Sequence, residues 1–382
     1  MTRIDDVVFC GAWDEGPGYP RTTVLRQALR QAGVVVREVR APGLGTGKQQ
    51  LLRQPWRWPL FWWRQQALRR RLVARLRAAV AERRPGCVVV PYPGHALVAA
   101  LRAAVDVPVV LDLFLSAYDT IVEDRQLVLP GSLAARWLQR LDTRACAAAD
   151  LVLVDTPANA AYLATLTGLA PARFAWLPVG VPEQDGPLPR RAAPASAPLQ
   201  VLFFGTGVPL HGLTTLIDAV AAVPDVQLTL VGGTEVERAR ATTLLGNRLT
   251  LEPKFVDAAR LRALLADSDV VAGVFGGSGK AQRVVPYKLV HALAAGRPVL
   301  TADTPAVAGW LDGSGAVFVV PAGDVRATAN CLGELAAAPA VVAAAAGHAR
   351  AAFERCFALP ALAARWRSLL DRLAGDGWRE AA

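Results

Sequence analysis

The sequence predicts an α/β protein of two domains, each a parallel sheet packed between helices. Three observations lead there. Short apolar runs of strand length alternate with helical periodicity, glycine-rich loops stand where strand gives way to helix, and one stretch, Pro187–Pro198, breaks the alternation with proline and alanine. At 382 residues the chain can bury two separate cores. The expected boundaries are 1–185 for the first domain, 186–198 for the linker, 199–355 for the second domain and 356–382 for a C-terminal helix.

Val7–Cys10 begins the first unit, followed by the loop Gly11–Arg21, with Gly16 and Gly18, and a helix through Leu29. Further strands are expected at 34–39, 87–91, 107–113 and 151–154. After the linker, the alternation resumes with strands near 199–204, 226–231, 249–251, 270–275, 298–301 and 316–320. The alanine-rich stretch 336–346 reads as helix, and Leu362, Trp366, Leu369, Leu370 and Leu373 give the last helix an apolar face in which Trp366 packs.

Composition narrows the class. The chain is 53% hydrophobic, yet it has no apolar run long enough to cross a bilayer. Met1–Gly11 lacks a signal-peptide pattern. The five cysteines (10, 87, 146, 331 and 356) are scattered without metal-ligand spacing, which fits reduced thiols in a cytoplasmic protein. Most of the formal charge of +10 comes from one segment: Arg53–Arg84 holds ten arginines against a single acid, Glu82, and four of the ten tryptophans lie at 56, 58, 62 and 63. Leu68, Leu72, Leu76 and Val80 give its second half an apolar helix face that suits a core. Trp62, Trp63, Arg64, Arg69, Arg70 and Arg71 suit the surface of an anionic membrane. A solvated arginine face is the plainer reading, and no nucleic-acid motif accompanies the segment.

The stretch Phe275–Asp303 carries the chemistry. Its order is strand, glycine-rich loop, helix, strand, and two of the chain's four lysines, Lys280 and Lys288, lie in it with Arg283 between them. Pro286 sets the start of a helix on which Leu289, Leu293 and Ala294 follow at helical spacing. Free N–H groups at a helix start, with cations beside them, suit a nucleoside diphosphate, although ligand-free α/β proteins also contain such turns.

The run Val284–Lys288, followed by His291–Val299, resembles the donor-site signature of glycosyltransferase family 4, retaining enzymes of the GT-B fold. That fold has two Rossmann-like domains whose parallel sheets face each other across a cleft. Family members typically carry two acidic residues separated by seven others; here those positions hold Arg283 and His291. The chain resembles a branch in which Lys280, Arg283, Pro286 and Lys288 match a Lys-Ala-x-Arg-Val-Ile-Pro-Asn-Lys pattern. Val201–Gly212 falls where the family has its donor-phosphate loop, with Gly205, Thr206, Gly207, His211 and Gly212 as candidates and a helix starting near Leu213. Val109–Arg125 is a third match, in which Phe114 stands near the place of a family histidine.

The resemblance implies transfer of a hexose from a nucleotide diphosphate sugar, with retention, without metal or other cofactor, to a lipid-linked or membrane-proximal acceptor. The enzyme would be cytoplasmic and peripheral at the inner face of the membrane, with no nucleic-acid partner. Lys288 and Arg283 would act on leaving-group charge; Gly205, Thr206, Gly207, His211, Gly212, Lys280, Pro286 and His291 would hold the donor. In the first domain the candidates for sugar or acceptor are Gly16, Gly18, Tyr19, Arg21, Asp112, Tyr118, Asp119, Asp124 and Arg125. The final helix would cross back to the first domain. Two rival classes are a catalytically inactive binding or scaffold protein on this fold, and a sugar-nucleotide epimerase or hydrolase, which would need a carboxylate pair not evident here.

Overall fold

A computed structural model describes residues 3–15, 20–42, 58–181, 186–190, 194 and 196–375, leaving out the side chains of 58–64. The chain divides into two compact units. The first takes residues up to Val122, Leu127–Pro178 and the chain from Leu362 onward; the second takes Glu123–Gln126 and Val179–Ala361.

The first unit is a six-stranded parallel sheet. Its strands are β1 (Asp6–Trp13), β2 (Val35–Pro42), β3 (Cys87–Val90), β4 (Val109–Asp112), β5 (Leu151–Val154) and β6 (Phe174–Trp176), in the order β2-β1-β3-β4-β5-β6. Its helices are α1 (Pro20–Gln31), α2 (Trp58–Glu82), α3 (Val98–Arg102), α4 (Leu133–Ala148) and α5 (Pro157–Thr167); a π-helical turn at Asp119–Asp124 begins in this unit, and its Glu123 and Asp124 belong to the second. β3, β4 and β5 are apolar at nearly every position because helices cover both faces of the sheet. Leu72 and Leu76 of α2 join this core with Leu68, Val73 and Val80 at its margin, so the apolar face of the basic helix packs inward.

The second unit contains β7 (Leu199–Gly205), β8 (Val226–Gly232), β9 (Leu249–Leu251), β10 (Val270–Ala272), β11 (Val299–Ala302) and β12 (Val317–Val320), ordered β12-β11-β10-β7-β8-β9 and parallel throughout. Its helices are α6 (Leu213–Ala221), α7 (Glu235–Leu245), α8 (Ala258–Asp267), α9 (Gly279–Arg283), α10 (Tyr287–Ala294), α11 (Pro305–Leu311), α12 (Val325–Ala337) and α13 (Pro339–Cys356). Strand order reverses between β7 and β10, and ligands of open α/β sheets bind beyond the carboxyl ends of the strands at such a reversal. Both glycine-rich segments singled out from sequence leave the sheet at that point.

Two arginines, Arg248 half-buried and Arg297 buried, fix the ends of elements here. Arg248 donates to the carbonyls of Val220, Ala221 and Val223, the unpaired end of α6. Arg297 donates to Leu188, Leu265 and Ala266 and also to Pro189, so the start of the expected linker is strapped onto the second unit. The last helix, α14 (Leu359–Ala374), packs on the first unit: Arg367 donates to the carbonyls of Ile4 and Ala32, Arg365 lies 4.4 Å from the Trp176 ring centre, and Trp366 is buried.

Strand expectations differ from the fold at two places. The run 270–275 is strand only to Ala272. Beyond it, Val274 donates to Thr301 Oγ1 and Phe275 to the carbonyl of His211, so the backbone leaves the ladder while staying buried. β6 was not among the expected strands.

Candidate functional site

The two loops at the β7/β10 reversal are stitched back to back. Phe275 N–H donates to the carbonyl of His211 at 2.9 Å, and Gly276 N–H to that of Leu210 at 3.1 Å. Such closeness excludes side chains on both partners. A Cβ on Gly212, which has φ of 56°, would lie 2.5 Å from Gly276 N; one on Gly276 would lie 2.6 Å from the Leu210 oxygen. Gly207 fits against the start of α7, where Thr234 and Glu237 cap the helix reciprocally.

Gly205 ends β7 beneath two side chains. A Cβ there would lie 2.6 Å from His211 Cε1 and 3.1 Å from Lys288 Nζ. Lys288 is 5% exposed, and its Nζ has no hydrogen-bond partner among the described residues. It sits 3.7 Å from the centre of the Phe203 ring. Burial pushes its pKa well below the usual lysine value, and Glu237 opposes that shift. His211 stands edge-on to the same ring at 5.6 Å, and its Nδ1 is also without a partner. Burial, followed by the nearby Lys288, lowers its pKa to about 3, so its imidazole is neutral at pH 7.

The other cations of the loop are matched by acids. Arg283 on α9 donates to Glu123 at 3.0 Å, and Lys280 Nζ lies 4.0 Å from Asp124. Arg283 and His291 occupy the positions where the resembled family carries acids, and Glu123 and Asp124 bring carboxylates to the loop from the π-helical turn. His291 is half-buried against Tyr287 at 4.6 Å and Phe204 at 6.3 Å; burial lowers its pKa to about 4. Pro286 is the residue before α10 and offers its first turn no side-chain cap; Leu289 N–H donates to the Pro286 carbonyl at 3.0 Å, and Thr206 is exposed.

The described candidates for sugar or acceptor differ in their surroundings. Arg21 and Asp112 form a buried ion pair, with Arg21 Nε and Nη2 at 2.9 and 2.8 Å from Asp112 Oδ1. Arg21 also donates to the carbonyls of Leu177 and Val154. The expectation that these two face sugar or acceptor is corrected: they hold the start of α1 against the ends of β4, β5 and β6. Burial raises the Asp112 pKa against the pull of Arg21.

Asp142, absent from the expectations, organises the neighbouring segment. It accepts from Ser116 Oγ at 2.6 Å and from the N–H groups of Ala117 and Tyr118, and His95 Nε2 lies 3.2 Å away. Burial acts to raise its pKa, but these partners hold it below the usual carboxylate value. A lone acid on the inward face of an otherwise apolar helix was the available signal. Asp119 is buried, Tyr118 half-buried and Arg125 exposed. Gly16, Gly18 and Tyr19 lie outside the described residues, as do the side chains of Trp62, Trp63 and Arg64; Arg69, Arg70 and Arg71 are exposed on α2.

Two family models match the chain. "Glycosyl transferase 4-like domain" covers residues 8–180, and "Glycosyl transferases group 1" covers 198–338. No curated protein matches the sequence. Among solved structures, sucrose-phosphate synthase from Thermosynechococcus elongatus is 18% identical with a TM-score of 0.68, covering 97% of this chain and 99% of its own. Anabaena HepE in complex with UDP is 17% identical with a TM-score of 0.63, over 96% and 99%. The lipopolysaccharide outer core galactosyltransferase WaaB is 12% identical with a TM-score of 0.62, over 97% and 99%. In its domain composition and its pair of parallel sheets, the chain is a glycosyltransferase of the GT-B fold, with a glycosyl transferase 4-like domain followed by a group 1 domain.

Proposed function

We propose that the protein transfers a sugar from a nucleoside diphosphate sugar to a hydroxyl of a lipid-linked or membrane-proximal acceptor, with retention of configuration and without a metal. One observation carries this reading: Lys288 Nζ and His211 Nδ1 converge over Gly205 at the strand reversal, both buried and without a hydrogen-bond partner among the described residues. Diphosphate oxygens are acceptors that would satisfy the amine. HepE, solved with UDP and with UDP-glucose, supports a donor of this class.

In the proposed step, the bond between the sugar's anomeric carbon and the β-phosphate oxygen breaks, and its electron pair stays on the diphosphate. The acceptor oxygen bonds to the anomeric carbon from the same face, and its proton passes to the departing diphosphate. Lys288, the Gly207 N–H and the first turn of α10 stabilise that growing charge, and Arg283 joins them on leaving Glu123. His291, neutral at pH 7, would hydrogen-bond the ribose. Tyr118, Asp119 and Arg125 are the proposed acceptor contacts, and the exposed arginines of α2 would attract an anionic membrane at the cytoplasmic face.

The pairing of Arg283 with Glu123 also favours a second reading, a binding protein that takes up nucleotide sugars without turnover. A panel of nucleotide sugars separates the two. Thermal stabilisation by one donor together with release of its nucleoside diphosphate supports transfer, whereas stabilisation alone supports the binding protein. No stabilisation by any donor overturns both.

A further inference from the structure

The first unit exposes an apolar surface remote in sequence from the basic helix. Leu127 (69%), Leu129 (80%), Leu133 (83%) and Trp137 (62%) are exposed, while Val128, Ala135 and Leu138 between them pack inward against Val122, Ile121 and Tyr118. The loop is held in shape. Leu127 N–H donates to the carbonyl of Ile121, Gln126 and Gly131 adopt positive φ, and Ser132 caps α4 through the Ala135 N–H. α4 therefore has two apolar faces, of which one is covered by other described residues and the other is exposed among them.

Along the segment that carries this surface the exposed charges are of one sign: Arg136, Arg140 and Arg144 are exposed, whereas the single acid between residues 127 and 148, Asp142, is buried. Leu133, Trp137, Arg140 and Arg144 fall on one helical stripe, apolar at its first end and basic towards its last. From Leu133 to Arg140 is seven residues, so about 10 Å of helix separates the apolar end of the stripe from its basic end.

We infer that Leu127, Leu129, Leu133 and Trp137 insert into an anionic lipid surface, with Arg136, Arg140 and Arg144 on its headgroups. The surface is distinct from the donor loops and from α2, and the inference does not depend on sugar transfer. Phosphate headgroups match the row of arginines along the whole stripe. Tryptophan beside leucine is also the pairing favoured at a lipid–water boundary.

The test is co-sedimentation of the full chain with vesicles of phosphatidylcholine alone and of phosphatidylcholine with phosphatidylglycerol, at two salt concentrations. Wild type should pellet with the anionic vesicles. L133S/W137S should lose at least about tenfold in partitioning at either salt concentration. R136Q/R140Q/R144Q should lose most at low salt, since the headgroup attraction is screened by salt. R69Q/R70Q/R71Q should retain the apolar part of the binding. Because the replaced side chains are exposed, unchanged circular dichroism and thermal midpoint are expected of each variant. Wild type left in the supernatant, or L133S/W137S pelleting like wild type, overturns the inference. So does a lipid-free dimer, seen by light scattering, that L133S/W137S converts to monomer, because the occupant would then be a second copy.

Discussion

Lys288→Met separates what the buried amine does to stability from what it does for function. Among the described residues the amine has no hydrogen-bond partner, and it faces the Phe203 ring. Burying an unpaired ammonium costs several kcal/mol, and a desolvated cation–π contact returns about 2 kcal/mol. The thioether has similar length, no donors and a favourable contact with an aromatic ring. The variant should therefore be more stable than wild type by on the order of 1–3 kcal/mol without nucleotide. The pH dependence has a definite sign. Because the folded pKa lies below the unfolded one, the unfolded chain takes up the proton first as pH falls below about 10.4. This lysine therefore makes wild-type stability rise with pH through the alkaline range, and the variant lacks that rise. A diphosphate reverses the order: at a hundred times its Kd it should stabilise wild type by about 2.7 kcal/mol. The variant should lose that stabilisation and at least about a hundredfold in turnover. Denaturant melts with and without UDP, or the diphosphate the donor panel selects, together with initial rates of its release, give every quantity. A folded variant that is no more stable than wild type and keeps its turnover would refute the reasoning and leave Lys288 as a packing residue.

The remaining predictions test the surroundings of that amine. Gly212→Ala should cost roughly 2–4 kcal/mol, from its positive φ and from the clash with Gly276 and Phe275, whereas Gly277→Ala, with nothing within 4 Å, should change stability by no more than about 0.5 kcal/mol; urea melts compare them. Glu123→Gln removes the competitor for Arg283 and should tighten UDP binding by no more than about fivefold, read by calorimetry; weaker binding would mean that the acid supports the site. His291 has a folded pKa of about 4 against 6.5, so it costs stability as pH falls below 6.5, with the loss complete near pH 4. His291→Phe should spare the protein roughly 3 kcal/mol of that loss, and parallel acid profiles of the two proteins would remove the assignment.

The parts legible in the sequence were those written locally. Buried parallel strands such as Leu151–Val154 announce themselves as unbroken apolar runs, and the segments at Gly205–Gly212 and Gly276–Lys288 could be read as strand-to-helix loops from their own residues. Pairing across the chain was not legible. Arg283 and Glu123 lie 160 residues apart, and Arg21 and Asp112 lie 91 apart, so each could be marked as polar but not as already engaged by the other. Burial without pairing also misleads: Val274 and Phe275 are as apolar as any strand residue but spend their N–H groups on a hydroxyl and a loop carbonyl. Glu237 could have been read from Thr234-x-x-Glu237, the pattern of a capped helix start. The exposed stripe of α4 could not, since Leu133 and Trp137 have the same spacing as core residues and periodicity does not say which face is covered.

The packing of α14 has a consequence for synthesis on the ribosome. The first unit is begun earliest, yet it takes its last layer from residues that follow Leu362: Arg367 on the carbonyls of Ile4 and Ala32, Arg365 over Trp176, and the buried Trp366. Until those residues emerge, the nascent first sheet waits with that flank bare while the whole second unit is made and can close on itself. The order of completion is thus the reverse of the order of translation. A stop codon just before Leu362 would leave the sheets of both units intact in sequence and still strip the one made first.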